Sequence, residues 1–155
     1  SYGCELWVSA IHPFGVGLSP CLRPHDKVML HAEPRILICT VSVGPIRLLI
    51  VVALAPHSGH KPQDRDDWWS HMDSLVLRFR RSCMQLVLMI DANARVGGSM
   101  SSAPGGYNAD AQDSNGDHLH TCVLVGSLHG VALYSRVGGK SAGTHLCELF
   151  KQASR

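Results

Sequence analysis

The residues of this chain best suited to chemistry are Asp91 and Asn93, which follow directly after the apolar run from Leu86 to Ile90. A buried strand that ends in a carboxylate and a carboxamide is a common way to build a phosphate or metal site. Because side chains alternate along a strand, we expect Asp91 and Asn93 to point to the same side, about 7 Å apart. Asp and Asn after a strand are also ordinary turn residues that bond their own backbone, so the pair alone leaves both interpretations open.

Composition limits the class of protein. Apolar residues make up 45% of the 155 residues, which is ordinary for one globular domain and too rich for disorder. The net charge of +2 permits a polyanionic partner but does not argue for one. The longest apolar run, Leu48 to Pro56, is far short of the about 20 residues that cross a bilayer, and no signal peptide is visible. We therefore expect no membrane partner and an intracellular location.

Cysteines and histidines give weaker signals. The six cysteines include no C-x-x-C pair, which predicts reduced, partly buried thiols rather than a disulfide framework. The ten histidines cluster most tightly at His118-x-His120-x-Cys122, with Asp117 beside them. A structural zinc site needs about four ligands, and no second cluster has suitable spacing along the sequence. The histidine pattern therefore does not favour zinc.

The pattern of apolar residues before Asp91 predicts two strands followed by a helix. Arg35 to Val43 and Ile46 to Leu54 are apolar runs separated by the turn signal Gly44-Pro45. This pattern predicts a hairpin, and the continuous apolarity of both runs predicts two central strands. From Asp64 to about Arg81 the pattern changes to that of an amphipathic helix. Its apolar face consists of Trp68, Met72, Leu75, Val76 and Phe79.

The remaining segments complete an alternation of strands and helices. We expect strands at 3–10, 85–90 and 131–134, an irregular proline-rich stretch at 11–34, and a long polar loop at 94–113. A helix is predicted at 115–127, with Leu119, Cys122 and Val123 facing inward. A loop of about 20 residues inside a compact domain is usually functional or disordered.

No single motif in this chain identifies a protein family, but the order of several short segments along the chain resembles that of a known family. The matching segments are residues 3–9 (GCELWVS), 55–59 (APHSG), 66–69 (DDWW), 91–97 (DANARVG), Asn115-Gly116 and Thr144. This series resembles the endonuclease/exonuclease/phosphatase family. It is most similar to the endonuclease domains of non-LTR (LINE-like) retrotransposons.

The resemblance implies an α/β (α+β) fold: a four-layer α/β sandwich in which two packed mixed β-sheets are flanked by helices. It also implies Mg²⁺-dependent hydrolysis of phosphate esters, with DNA as the substrate and a nuclear location. Asp91 would bind the metal and orient or deprotonate the attacking water. Asn93 would hold a phosphate oxygen or fix the nucleophile, and His57 would face the phosphate. Asp91, Asn93 and His57 are therefore the expected catalytic residues.

Other family features have no counterpart in this sequence. Members carry a metal-binding Glu before the segment that matches Gly3, and a catalytic Asp-His pair after the one that matches Thr144. No Asp follows Thr144, and Leu54 stands where many members have an aromatic or polar residue. We therefore expect residues 1–155 to be a partial domain, incomplete at both ends and inactive as given. A non-catalytic nucleic-acid- or protein-binding remnant, and a phosphomonoesterase of the same fold, remain alternatives.

Overall fold

The computed structural model describes residues 3–8, 22–94, 113–126 and 131–135, which contain five strands, two α-helices and one turn of 3₁₀ helix at Pro24–Asp26. The elements are β1 (Lys27–Glu33), β2 (Ile36–Val43), β3 (Ile46–Leu54), α1 (Pro62–Phe79), β4 (Gln85–Asp91), α2 (Ser114–Gly126) and β5 (Val131–Ser135). The predicted hairpin, the predicted first helix, the strands predicted at 85–90 and 131–134 and the helix predicted at 115–127 are confirmed to within a few residues. The loop predicted at 94–113 lies almost wholly outside the described residues. None of these helices is long and apolar enough to cross a membrane.

The strands form one mixed sheet in the order β1-β2-β3-β4-β5. The first three strands pair antiparallel, and β3, β4 and β5 pair parallel. The β2–β3 hairpin closes through Gly44, whose φ of 55° suits the first position of a two-residue turn, and Pro45. A mixed sheet with helices establishes the α/β class. The described residues contain one sheet and not the two sheets of the expected four-layer sandwich.

Both helices cover the same face of the sheet. Each connects a pair of neighbouring parallel strands, α1 between β3 and β4 and α2 between β4 and β5. Both β-α-β connections run in the same direction across the sheet, from β3 to β4 and from β4 to β5. Because such connections are almost always right-handed, both helices lie on the same face. Trp69 and Met72 of α1 and Leu119 of α2 join Leu49 and Leu88 of the sheet in one buried cluster.

The opposite face of the sheet is also apolar. Its buried cluster consists of Cys39, Val41, Val43, Leu48, Ile50 and Val87. Leu6 and Leu22 pack against this cluster. The residues of β2, β3 and β4 therefore bury apolar side chains on both faces, as central strands of a layered domain do.

Two predictions near the N-terminus were wrong. Residues 3–8 belong to no strand, although their exposure alternates as in a strand and Leu6 packs inward. Alternation shows which side chains face the core, but a strand also needs a hydrogen-bonding partner. Conversely, residues 27–33 form β1 inside the stretch expected to be irregular. Its sequence is largely exposed and shows no regular alternation of apolar and polar residues, so the strand signal is weak, and pairing with the apolar β2 stabilises the strand.

The buried face of α1 agrees with the prediction at Met72 and Leu75 and differs in its tryptophan, because Trp69 rather than Trp68 is fully buried. Trp69, Met72 and Leu75 are buried, whereas Trp68, Val76 and Phe79 are only partly buried. Leu119 of α2 is buried as predicted, and the side chains of Cys122 and Val123 lie outside the described residues.

The described cysteines Cys4, Cys39 and Cys83 are free thiols, as expected. Burial raises the pKa of the Cys39 thiol. Burial also raises the pKa of the Cys4 thiol, and the nearby charge of Arg35 partly offsets this effect. Both side chains therefore favour the neutral, less reactive form.

Leu49 provides a test of the helix-covered core. It is fully buried in β3, so Leu49→Ala should leave a cavity and lower the free energy of unfolding by about 2–5 kcal/mol. Leu77→Ala is the matched control, because Leu77 on α1 is 69% exposed and should cost less than about 0.5 kcal/mol. Urea unfolding followed by circular dichroism measures both values. Equal stability of the two variants would contradict this placement of the core.

Candidate functional site

Three segments meet at the carboxyl ends of the parallel strands: the loop that follows β3, the turn that follows β4, and the start of α2. The β3–β4 ladder pairs Leu54 with Asp91, and the backbone N–H of Ala55 then donates to the carbonyl oxygen of Asp91 at 2.9 Å. In open α/β sheets, ligands bind at this edge, where strand ends and helix N-termini converge. The predicted residues Asp91, Asn93 and His57 all belong to these segments.

The side chain of Asn115 joins the three segments. It is fully buried at the start of α2. Its Nδ2 donates to the carbonyl oxygens of Pro56 at 2.8 Å, Ala92 at 3.1 Å and Asn93 at 3.2 Å. Its Oδ1 accepts a hydrogen bond from Nε1 of Trp69 at 3.1 Å. One amide thus satisfies loop carbonyls that would otherwise be buried without donors.

Asp91 and Asn93 are brought together by a turn. The Oδ1 atom of Asp91 accepts the backbone N–H of Asn93 at 3.2 Å. β4 ends at Asp91, and Asn93 has a φ of 45°, so the side-chain alternation of a strand does not extend to Asn93. The Nδ2 atom of Asn93 instead donates to the carbonyl oxygen of Ala55 at 2.7 Å. The local-turn interpretation of this pair therefore describes its backbone correctly.

His57 lies exposed in the loop that follows β3. Its Nδ1 atom accepts the backbone N–H of Gly59 at 3.0 Å. A Cβ atom at position 59 would lie 2.8 Å from Cε1 of His57, so a side chain there would push the ring away. A ring whose Nδ1 accepts a hydrogen bond carries its proton on Nε2, which can donate to an anion. The ring of His60 packs against it edge-on, with 4.5 Å between centroids.

The three predicted residues share one backbone frame but not one hydrogen-bond network. Asn93 bonds to Ala55, two residues before His57, and thereby connects the two segments. Among the described residues, no hydrogen bond joins the ring of His57 to the carboxylate of Asp91. The sequence identified Asn115 as the start of a helix and as part of a motif of the resemblance, but not as the residue that bonds to the loop carbonyls. The burial of its side chain reveals this role, and that burial cannot be read from the sequence.

His118, a member of the histidine cluster considered for zinc, contacts residues of α1. Its Nε2 atom lies 3.0 Å from Oδ1 of Asp66, and its ring stacks on Trp69 with 5.6 Å between centroids. The side chains of His120 and Cys122 lie outside the described residues. His118 therefore links α2 to α1, beside the amide of Asn115.

The residues around Asp91 do not by themselves make a Mg²⁺ site. Mg²⁺ prefers octahedral oxygen coordination, commonly from carboxylates, waters and substrate phosphates. Among the described residues, the one group of three metal-ligating side chains that converge does not include Asp91. The nearby Asp113 uses its Oδ1 atom to accept the backbone N–H of Gly116 at 2.9 Å, which caps α2. Asp91 thus offers a single carboxylate, so we derive no catalytic step through Mg²⁺.

The bond between Trp69 and Asn115 can be tested with two adjacent tryptophans. Trp69→Phe removes a buried hydrogen bond and leaves Oδ1 of Asn115 without a donor, which should lower the free energy of unfolding by about 1–3 kcal/mol. Trp68→Phe is the matched control, because the buried Nε1 of Trp68 has no hydrogen-bond partner among the described residues. Chemical denaturation should show a clearly larger loss for Trp69→Phe. Equal losses would mean that the bond contributes nothing.

The positive φ of Asn93 predicts that a glycine variant at this position is more stable than an alanine variant. Asn93→Ala and Asn93→Gly both lose the bond to Ala55, but alanine must also adopt a φ of 45°. The left-handed region costs a Cβ-bearing residue about 1–2 kcal/mol. We therefore expect Asn93→Gly to be more stable than Asn93→Ala by about 1 kcal/mol in thermal or urea unfolding. The reverse order would refute the left-handed turn.

Comparisons with known proteins add no family to this geometry. A scan against protein-family models, a search of curated proteins and a search of solved structures each found no match.

Proposed function

We propose that this chain is part of a Mg²⁺-dependent phosphodiester hydrolase, endonuclease-like and derived from a retrotransposon, with DNA as its substrate class. The observation that carries the proposal is the buried amide of Asn115, which bonds to the loop carrying His57 and to the turn carrying Asp91 and Asn93. These segments correspond to two motifs of the resemblance, residues 55–59 and residues 91–97. DNA as substrate also implies a nuclear location.

The polar groups at this edge suit a phosphate ester. One oxygen of Asp91 is engaged by the N–H of Asn93, and its second oxygen is the group that would orient or deprotonate a water molecule. Nε2 of His57 would donate to a phosphate oxygen while Gly59 holds the ring through Nδ1. Asn93 would hold a phosphate oxygen or fix the nucleophile beside Asp91.

We further propose that the chain as given does not hydrolyse its substrate at a useful rate. The resemblance requires a metal-binding Glu and a catalytic Asp-His pair, and no residues of this chain match those motifs. Residues that act as one catalytic unit are strongly non-additive, so losing part of the unit removes most of the rate. A single carboxylate at Asp91 is also a weak Mg²⁺ site.

The apolar face opposite the helices supports the four-layer sandwich. Val41 and Leu48 on that face are each 1% exposed, and Leu6 packs there from outside the sheet. A sheet that is apolar on both faces needs a layer on each side, and a second sheet packed at about 10 Å would supply the layer opposite the helices. We propose that this face is the interface between the two sheets.

A non-catalytic remnant that binds nucleic acid or protein is the second candidate. The observation that favours it is the engagement of Asp91 and Asn93 in backbone hydrogen bonds, which makes both residues useful to the turn without any chemistry. Binding without cleavage would preserve the fold of this edge while its catalytic groups are lost. A phosphomonoesterase shares the same chemistry and differs only in the size of the substrate.

Nicking of supercoiled plasmid DNA with Mg²⁺ tests the proposal. We expect little or no nicking by this chain, whereas robust cleavage that disappears in Asp91→Ala would refute the inactivity. Cleavage that persists in Asp91→Ala would point to a contaminating nuclease. Ser82→Ala, an exposed change between α1 and β4, is the matched control and should nick DNA to the same extent as the original chain. Hydrolysis of a phosphomonoester without nicking would favour the phosphatase.

The flanking coding sequence tests the hydrolase origin separately. A Glu-bearing strand upstream, a Ser-Asp-His motif downstream and then a reverse transcriptase would support it, and the longer chain should nick DNA in an Asp91-dependent manner. Stop codons or an unrelated domain in those places would favour the non-catalytic remnant.

A further inference from the structure

A group of metal-ligating side chains lies on the helix-covered face of the sheet, away from Asp91. His31 and Glu33 belong to β1 and His71 to α1, and their ligand atoms all lie within 4.8 Å of one another. We propose that His31, Glu33 and His71 bind a divalent transition-metal ion of the Zn²⁺ class. The site joins an edge strand to a helix that is about 40 residues away in sequence.

A bulge in β1 directs its two ligands toward α1. Met29 pairs with Cys39, but His31 pairs with Ile38, so Leu30 is an extra residue in β1. Without it, strand alternation would place His31 on the same face as Met29. With it, His31 and Glu33 stand opposite Ile38 and Ile36, whose side chains belong to the cluster beneath α1.

The distances between the three side chains are close to the distances between ligand atoms around one metal ion. The Nε2 atoms of His31 and His71 lie 3.0 Å and 3.2 Å from Oε1 of Glu33. Ligand atoms at about 2.0–2.1 Å from a tetrahedral ion are about 3.3 Å apart, so the two histidines need only small side-chain movements to meet one ion. Phe79 lies beside the ring of His31, with 6.4 Å between centroids, and limits its movement.

The Nε2 atom of His31 gives a second, independent indication of a ligand at this site. It is buried and has no hydrogen-bond partner among the described residues, even though it lies 3.0 Å from Glu33. At this distance the contact lacks the alignment of a hydrogen bond, so the in-plane direction of the nitrogen is left without a described partner. A buried polar atom in this state is costly, and a metal ion would satisfy it.

The donor set indicates the class of ion. Two imidazole nitrogens and one carboxylate oxygen suit Zn²⁺, Co²⁺, Ni²⁺ or Cu²⁺, whereas Mg²⁺ and Ca²⁺ prefer all-oxygen sites. The side chains of Glu33 and His71 are 42% and 45% exposed, so an ion can enter from solvent and keep a water molecule. β2 and β3 separate β1 from β4, which puts the site about 14 Å from Asp91. It is therefore distinct from the proposed phosphate site.

Zn²⁺ binding by the whole chain tests the proposal. Competition with a chromophoric chelator measures the affinity, and thermal unfolding with and without Zn²⁺ measures the stabilisation that binding produces. We expect His71→Gln and Glu33→Gln each to weaken the tightest Zn²⁺ site by at least about 10–100-fold, and to reduce the rise in Tm. Both residues are exposed, and circular dichroism checks that the variants fold.

His25→Gln is the matched control, because the side chain of His25 is 71% exposed in the turn before β1 and outside the cluster. It should bind Zn²⁺ like the original chain. Unchanged affinity in folded His71→Gln and Glu33→Gln, or equal weakening in His25→Gln, would overturn the proposal. Displacement of Zn²⁺ by equimolar Mg²⁺ would also overturn it, since the donor set would then not be selective.

Discussion

The buried amide of Asn115 is the interaction on which the geometry of the candidate site depends. Pro56, Ala92 and Asn93 lie on segments that follow different strands, and their carbonyl oxygens converge on this one side chain. Trp69 fixes the orientation of the amide, because its N–H can donate only to Oδ1. The helix-covered core, through Trp69, thus determines how the strand ends are held. The catalytic candidates add their side chains to a frame that is already fixed.

Local periodicity predicted most of the central fold. The β2–β3 hairpin follows from two apolar runs around Gly44-Pro45, and α1 follows from its apolar stripe. β1 could not be predicted in this way, because its largely exposed residues show no regular alternation and form a strand through pairing with β2. The choice of Trp69 over Trp68 as the buried ring was equally hidden, since it depends on where α2 supplies Asn115 and His118.

The candidate site was predictable in its residue types and not in its geometry. The sequence at residues 91–93 suggested both a catalytic pair and a turn, and the hydrogen bonds describe a turn that still presents a carboxylate. The bonding role of Asn115 and the group formed by His31, Glu33 and His71 were not predicted, for a common physical reason. Each is assembled from distant parts of the chain, so its signal lies in tertiary contacts rather than in spacing along the sequence.

The bulge at Leu30 has a consequence for the outer side of β1. β1 is the first strand of the described sheet, and Val28 and Met29 are more than half exposed along it. An exposed edge of this kind is a template onto which another chain can add a strand. A change of pairing register in the middle of β1 interrupts the regular spacing of its N–H and C=O groups, so an incoming straight strand could match only a few of them. The irregularity that orients His31 therefore also protects the edge against intermolecular β-pairing.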